Sequence, residues 1–142
     1  MLTRTLGRSG IQVSALGLGT ARIGGLGWQV DDRIVPDASS PIDADVRAIH
    51  RALDLGINFF DTADIYGCGR SESILGQALA GRRHRAVIAS KFGETFDEQT
   101  RQPTAEELDA AYVRRACEAS LRRLNTDYID VYLLHIRDLD LE

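Results

Sequence analysis

Short apolar runs and segments of helical periodicity alternate along most of the chain. Runs bounded by glycine or polar residues predict buried strands at residues 15–18, 57–60, 86–89 and 128–134. Two further stretches, residues 3–6 and 11–13, flank a glycine-rich turn and predict an N-terminal β-hairpin. Because helical segments separate the buried runs, the alternation predicts a parallel α/β sheet built from right-handed crossovers.

Three segments have the spacing of an amphipathic helix: residues 43–55, a segment that begins at Ser71, and residues 104–124. Gly56 suits a left-handed cap after the first helix, and the Ser71 side chain is a candidate N-cap for the second. Thr104 and Glu107 form a capping-box pattern at the start of the third. Residues 20–41 lack periodicity and contain several glycines and prolines, so they predict a long loop.

Polar side chains stand where the predicted strands end. Asp61, Lys91 and His135 follow three successive strands, and Tyr66 lies five positions after Asp61 in the same loop. In a parallel barrel the carboxyl ends of the strands meet at one face, where active sites are built. We therefore expect these four side chains to lie close together.

The four side chains would together activate a carbonyl group. A phenol ionises at a pH of about 10, and a nearby cation lowers the pKa of a phenol. Lys91 can supply that cation for Tyr66, and Asp61 can hold the ammonium group in place. His135 can donate a hydrogen bond to a substrate oxygen. Such a site polarises a carbonyl and protonates it, and the hydride would come from a nicotinamide cofactor.

Each residue also has a purely structural interpretation when it is taken alone. Asp61 can cap a turn, and Lys91 can be a solvated residue after a strand. Tyr66 can be a half-buried packing residue, and His135 can be a core histidine with satisfied hydrogen bonds. The placement of three of them at strand ends favours the catalytic hypothesis.

Four other residues have weaker signals. Cys68 and Cys117 belong to no metal-spaced pattern, so we expect neither a disulfide framework nor a metal site. Cys117 is interpreted as a small helix residue and Cys68 as a small loop residue, with a reactive thiol at Cys68 as the alternative. Arg22 and Trp28 either line a pocket or serve as a surface charge and an anchor for the loop.

Composition narrows the class of protein. The chain has 142 residues, of which 44% are hydrophobic and 27% charged, as in an ordinary globular domain. Its net charge of −4 argues against nucleic acid or an anionic membrane as the main partner. Neither a membrane-spanning run nor a signal-peptide core is evident, and we expect a cytoplasmic protein.

Several segments resemble the motifs of the aldo-keto reductases: residues 56–67 (GINFFDTADIYG), 69–79 (GRSESILGQAL), 90–93 (SKFG) and 120–135 (SLRRLNTDYIDVYLLH). The resemblance implies a parallel (β/α)8 barrel of the TIM type. It also implies the reduction of aldehydes or ketones, or the reverse oxidation of alcohols, with NADP(H), or with NAD as the alternative.

The resemblance assigns roles to five residues. It implies that Tyr66 is the general acid, that Lys91 and Asp61 tune it, and that His135 orients the carbonyl. Thr20 matches a position near the nicotinamide ribose, and Asp61 also reaches that ribose.

A barrel of this type needs at least about 200 residues, so residues 1–142 would form an incomplete single domain. They hold the N-terminal hairpin and about the first four βα units. We expect a longer chain cut short, with self-association or a complementary half-barrel as the alternatives. A non-catalytic regulatory or binding protein of the same fold, or an inactive truncated fragment, remain alternative functions.

Overall fold

Ten strands and three α-helices lie within the residues that the structure, a computed structural model, describes: 1–23, 28–30, 33–35, 41–97, 99–100 and 102–136. The strands are β1 (Thr3–Thr5), β2 (Gln12–Ser14), β3 (Gly17–Gly19), β4 (Trp28–Val30), β5 (Arg33–Val35), β6 (Phe59–Asp61), β7 (Val87–Phe92), β8 (Glu94–Asp97), β9 (Gln102–Glu106) and β10 (Val131–Leu134). The α-helices are α1 (Ile42–Asp54), α2 (Arg70–Ala78) and α3 (Ala110–Leu124), and a 3-10 helix spans Arg83–Arg85.

The central sheet has four parallel strands in the order β10-β7-β6-β3. Strands that follow one another in the chain are therefore neighbours in the sheet, and helices connect them on one face. This strand order is typical of a barrel, because a doubly wound sheet reverses its strand order at a switch point. The predicted parallel α/β sheet is confirmed.

The core lies between this sheet and the three helices. The apolar faces of the helices and the central strands contribute its fully buried members: Ile49, Phe60, Leu75, Leu79, Ile88 and Leu124. Helices α2 and α3 approach closely at Gly76, where an added Cβ would lie 2.5 Å from the carbonyl oxygen of Leu124. Only glycine permits that approach without a shift of the backbone.

At its N-terminal end, β7 is held by Asp130. The carboxylate accepts a hydrogen bond from the Ile88 N–H at 2.8 Å and pairs with the Arg83 guanidinium at 2.6 Å. The guanidinium also lies 3.9 Å from the centre of the Tyr128 ring. These contacts fix the end of the strand opposite to the one where Lys91 stands.

The predicted start of the third helix is wrong. Asp109 caps α3, and its Oδ1 accepts hydrogen bonds from the Ala111 and Tyr112 N–H groups at 2.8 and 2.9 Å. Thr104 lies instead in the antiparallel β8–β9 hairpin, where its hydroxyl is 2.8 Å from that of Thr95. The capping-box pattern failed because cross-strand pairing competes with a local cap for the same hydroxyl.

Two other local predictions also need correction. Gly69, in a left-handed conformation, occupies the N-cap of α2, and the Ser71 side chain is buried inside the fold. The predicted long loop contains the antiparallel pair β4–β5, although the Trp28 side chain lies outside the described residues. The left-handed turn after α1 is confirmed, because Gly56 has φ of +85°.

Candidate active site

Lys91 stands at the centre of a cluster at the carboxyl ends of the sheet strands. Its Nζ donates hydrogen bonds to Asp61 Oδ1 at 2.7 Å, to the Thr62 carbonyl oxygen at 2.8 Å and to Tyr66 Oη at 3.2 Å. Only 12% of the Lys91 side chain is exposed, whereas 39% of the Asp61 side chain is exposed. The ammonium is therefore largely withdrawn from water while the carboxylate faces the open side of the site.

Backbone contacts hold the other two members beside Lys91. Tyr66 lies in a tight turn, in which its N–H donates to the Ala63 carbonyl and its carbonyl accepts from the Ser71 N–H. The His135 N–H donates to the Phe92 carbonyl at 2.7 Å. As a result, the Tyr66 and His135 rings meet edge to face, with centroids 5.7 Å apart and planes at 86°. The structure thus brings together all four residues that the sequence indicated.

Thr20 lies behind this cluster rather than on its open side. The residue is fully buried, and its Oγ1 donates to the Asp61 carbonyl at 3.0 Å. The Ser71 hydroxyl lies 2.7 Å from Thr20 Oγ1 and 3.0 Å from Thr62 Oγ1. In this arrangement Thr20 supports the backbone of Asp61, and its contact with a cofactor ribose stays a prediction.

A second charged group, which the sequence argument missed, lies on the helix side of the sheet. Glu72 is fully buried, accepts a hydrogen bond from the Ser90 hydroxyl at 2.5 Å and pairs with Arg123 Nε at 2.6 Å. A signal was present, since Glu72 shares helical spacing with Leu75 and Leu79 and so falls on the buried face of α2. An acidic residue on such a face requires a partner.

Asp64 is a buried carboxyl group between this charged group and the Tyr66 turn. Burial, and then the negative charge of Glu72, raise the pKa of Asp64 to about 7, against the opposing effects of Arg123 and the Ile65 N–H. Only 4% of Asp64 is exposed, and its Oδ1 has no hydrogen-bond partner among the described residues. Near neutral pH this carboxyl therefore takes up a proton more readily than an exposed aspartate does.

The two cysteines, which had weaker signals in the sequence, are both partly buried. Cys117 is partly buried on α3, where desolvation raises the pKa of its thiol. Cys68 is also partly buried and takes a left-handed conformation with φ of +52°. Within the described ranges, no group of His, Cys, Asp and Glu side chains is arranged to hold a metal. No helix in those ranges is long and apolar enough to cross a bilayer.

Comparison with known proteins gives consistent matches to one family. The family model described as "Aldo/keto reductase family" matches residues 15–142. The chain is 36% identical over 135 residues to the uncharacterized oxidoreductase YqkF of Bacillus subtilis, covering 95% of this chain and 39% of that protein. It is 37% identical over 145 residues to the 6-dehydroglucose reductase of Novosphingobium aromaticivorans, covering 96% of this chain and 42% of that protein.

Solved structures agree. The holo form of the aldo-keto reductase AKR11C1 from Bacillus halodurans superimposes with a TM-score of 0.79 at 37% identity, over 95% of this chain and 40% of that one. An aldo-keto reductase from Klebsiella pneumoniae in complex with NADPH gives a TM-score of 0.68 at 33% identity, over 97% of this chain and 41% of that one. The chain therefore spans about two fifths of the length of these relatives and has the fold of part of their (β/α)8 barrels.

Proposed function

Because this chain belongs to the aldo/keto reductase family, we propose that it carries the proton-donating side of an NADP(H)-dependent carbonyl reductase. The substrate class is a small aldehyde or ketone, or the corresponding alcohol in the reverse direction. The observation that carries the proposal is the contact of one ammonium group with both Asp61 and Tyr66. A lysine that served only the fold would not need to touch a phenol oxygen.

Tyr66 is the general acid in this proposal. Its oxygen accepts a hydrogen bond from Lys91 Nζ, so its own proton remains available for a carbonyl oxygen. As that proton leaves, the ammonium group 3.2 Å away stabilises the negative charge that develops on the phenol oxygen. Asp61 keeps the ammonium group in place and charged.

His135 orients the carbonyl. Its ring lies at the edge of the Tyr66 ring, and a donor there can hydrogen-bond the same carbonyl oxygen that Tyr66 protonates. Two donors aimed at one oxygen lower the barrier more than one donor, because both strengthen as negative charge develops.

The residues present fit the reacting end of a nicotinamide cofactor. When bound, NADP(H) supplies the hydride. In this proposal the Asp61 carboxylate holds the ribose. The support for this role is that Lys91 contacts one carboxylate oxygen and that 39% of the Asp61 side chain is exposed at the strand end. NAD remains the alternative cofactor.

The proposal is tested by Tyr66→Phe, which removes the acid and little volume. We expect carbonyl-dependent oxidation of NADPH, followed at 340 nm over a panel of aldehydes, to fall about 100-fold or more. Quenching of protein fluorescence by NADPH should persist. Tyr128→Phe is the matched control, because Tyr128 packs on Arg83 at the opposite end of the sheet.

Two outcomes would contradict the proposal. Unchanged turnover in Tyr66→Phe would remove the assignment of the acid. Saturable NADPH binding by the unaltered protein without any turnover would instead favour a non-catalytic binding protein of the same fold.

A further inference from the structure

Ser90 and Lys91 are adjacent in β7 and therefore point to opposite faces of the sheet. Lys91 faces the cluster with Asp61 and Tyr66, whereas Ser90 faces the helices and is fully buried. The Ser90 hydroxyl donates to Glu72 Oε1 at 2.5 Å. The residue of β7 next to Lys91 is thus hydrogen-bonded, on the helix-facing side of the sheet, to the Glu72 carboxylate of α2.

Glu72 is also tied to the segment that carries Tyr66. It lies in the first turn of α2, and the N–H of the preceding residue, Ser71, donates to the Tyr66 carbonyl at 3.2 Å. The same helix start contains Gly69, whose N–H donates to the Asp64 carbonyl at 2.7 Å. A displacement of Glu72 would therefore move the Tyr66 turn as well as β7.

Arg123 fixes the Glu72 carboxylate from α3. Its Nε lies 2.6 Å from Glu72 Oε2, and its Nη2 donates to the Ser120 hydroxyl at 3.3 Å. The Arg123 side chain passes directly over Gly69, where an added Cβ would lie 2.5 Å from Arg123 Cδ. Gly69 thus leaves the space that this arginine needs to reach Glu72.

We propose that Glu72 is a positioning residue that, through Ser90 and the Tyr66 turn, sets the contact between Lys91 Nζ and Tyr66 Oη. This inference deepens the proposed function and rests on it for its catalytic meaning. The physical reason is that the Glu72 side chain bonds β7 through Ser90, while the backbone of the preceding residue, Ser71, bonds the Tyr66 turn, so both links converge on the first turn of α2. Glu72 contacts neither Lys91 Nζ nor Tyr66 Oη, and it acts on them only through Ser90 and the Tyr66 turn.

The sequence offers a direct probe, because Lys91 is its single lysine. Lysine labelled with ¹⁵N gives one side-chain ammonium signal, and the exchange of its protons with water reports how firmly Nζ is held. Neither a cofactor nor turnover is needed for this measurement.

Ser90→Ala is the decisive variant, since it removes the link to β7 and leaves the Glu72–Arg123 pair intact. We expect exchange of the Lys91 ammonium protons to become about tenfold faster, as for the loss of one buried hydrogen bond that limits local opening. Glu72→Gln retains the shape of the side chain but weakens its hydrogen bonds with Ser90 and with Arg123. We expect this variant to give a smaller acceleration in the same direction.

Asp130→Asn is the matched control. It weakens a partly buried carboxylate–arginine pair whose carboxylate accepts a hydrogen bond from Ile88 of β7, at the end of the strand opposite to Lys91. We expect its exchange rate to stay within about twofold of the unaltered protein, since local opening at one end need not reach the other. Equal acceleration in the control and in Ser90→Ala, no acceleration in Ser90→Ala, or failure of Ser90→Ala to fold would each overturn the inference.

Steady-state kinetics separate this inference from the proposed function. A positioning role predicts that Ser90→Ala lowers kcat for carbonyl reduction and leaves KM for the carbonyl nearly unchanged. If the unaltered protein shows no turnover, the proposed function fails, and the proton-exchange comparison still decides whether Glu72 positions Lys91.

Discussion

Replacing Asp64 by asparagine is expected to stabilise the protein at neutral and alkaline pH. The Asp64 carboxyl is buried beside Glu72, and no group in the described part of the chain hydrogen-bonds its Oδ1. Its ionised form is therefore poorly solvated and repelled in the folded state. Asparagine has nearly the same shape as the protonated acid and carries no charge at any pH.

The size and sign of the effect follow from the pKa of Asp64. That pKa is raised from 3.8 to about 7 on folding, first by burial and then by Glu72. Below about pH 4 the carboxyl is protonated in both states and costs nothing. As the pH rises, the unfolded chain releases the proton first, so the free energy of unfolding falls until the folded carboxyl also ionises near pH 7. A pKa difference of this size is worth at most about 4 kcal/mol.

Urea denaturation of the unaltered protein and of Asp64→Asn between pH 4 and pH 8 measures this effect. We expect the variant to gain roughly 2–4 kcal/mol relative to the unaltered protein over that range. Asp97→Asn is the control, because hydrogen bonds from Thr100 lower the pKa of Asp97 and give the opposite sign. A stability difference between the two proteins that does not change with pH would refute the reasoning.

Two further predictions concern the packing and capping of the helices. Gly76→Ala should lower the free energy of unfolding by about 2–3 kcal/mol in urea melts, because the new Cβ would lie 2.5 Å from the Leu124 carbonyl oxygen. A variant as stable as the unaltered protein would show that α2 can move away from α3. Asp109→Ala should cost about 1 kcal/mol, because it removes the side-chain cap of α3, and helical circular dichroism together with the same melts would detect it. An unchanged midpoint for Asp109→Ala would mean that packing alone holds the start of α3.

Elements with a strong local pattern were predicted well from the sequence. The strands of the central sheet were recognised as short apolar runs, although β3 and β10 are partly exposed and not buried as predicted. The C-terminal end of α1 was recognised because Gly56 adopts the left-handed conformation that favours glycine. Placing Asp61 and Lys91 together needed only the further rule that parallel strands end at the same face. Each strand and the end of the helix can be recognised from its own segment, and only the pairing of Asp61 with Lys91 needs two strands.

Features that depend on partners distant in sequence were missed. The hydroxyl of Thr104 is satisfied across a hairpin by Thr95, and that of Ser71 is satisfied by Thr20, which is distant along the chain. Neither choice can be read from neighbouring residues, because a hydroxyl that could accept a backbone N–H at a local cap can bond a distant partner equally well. The role of Glu72 was hidden for the same reason, since its partner Arg123 lies on another helix.

The described sheet has two edge strands at which self-association, which stays a prediction, could take place. Strands β10 and β3 form the two edges of the described sheet. Leu133 and Leu134 on β10 are 43% and 41% exposed. An edge strand with exposed apolar side chains can pair with another strand, whether that strand comes from a longer form of the same chain, from a second copy or from a complementary half-barrel.

The choice of lysine at position 91 follows from the arrangement of its acceptors. The carboxylate of Asp61, the carbonyl of Thr62 and the phenol of Tyr66 all converge on one nitrogen, at 2.7, 2.8 and 3.2 Å. An ammonium group has three N–H donors on a single atom, whereas a guanidinium spreads its donors over three nitrogens in a plane. All the other basic residues among the 17 Lys and Arg of the chain are arginine. An arginine at this position would keep the positive charge, but its fork could not meet three acceptors around one point, so the geometry of the site requires the compact cation.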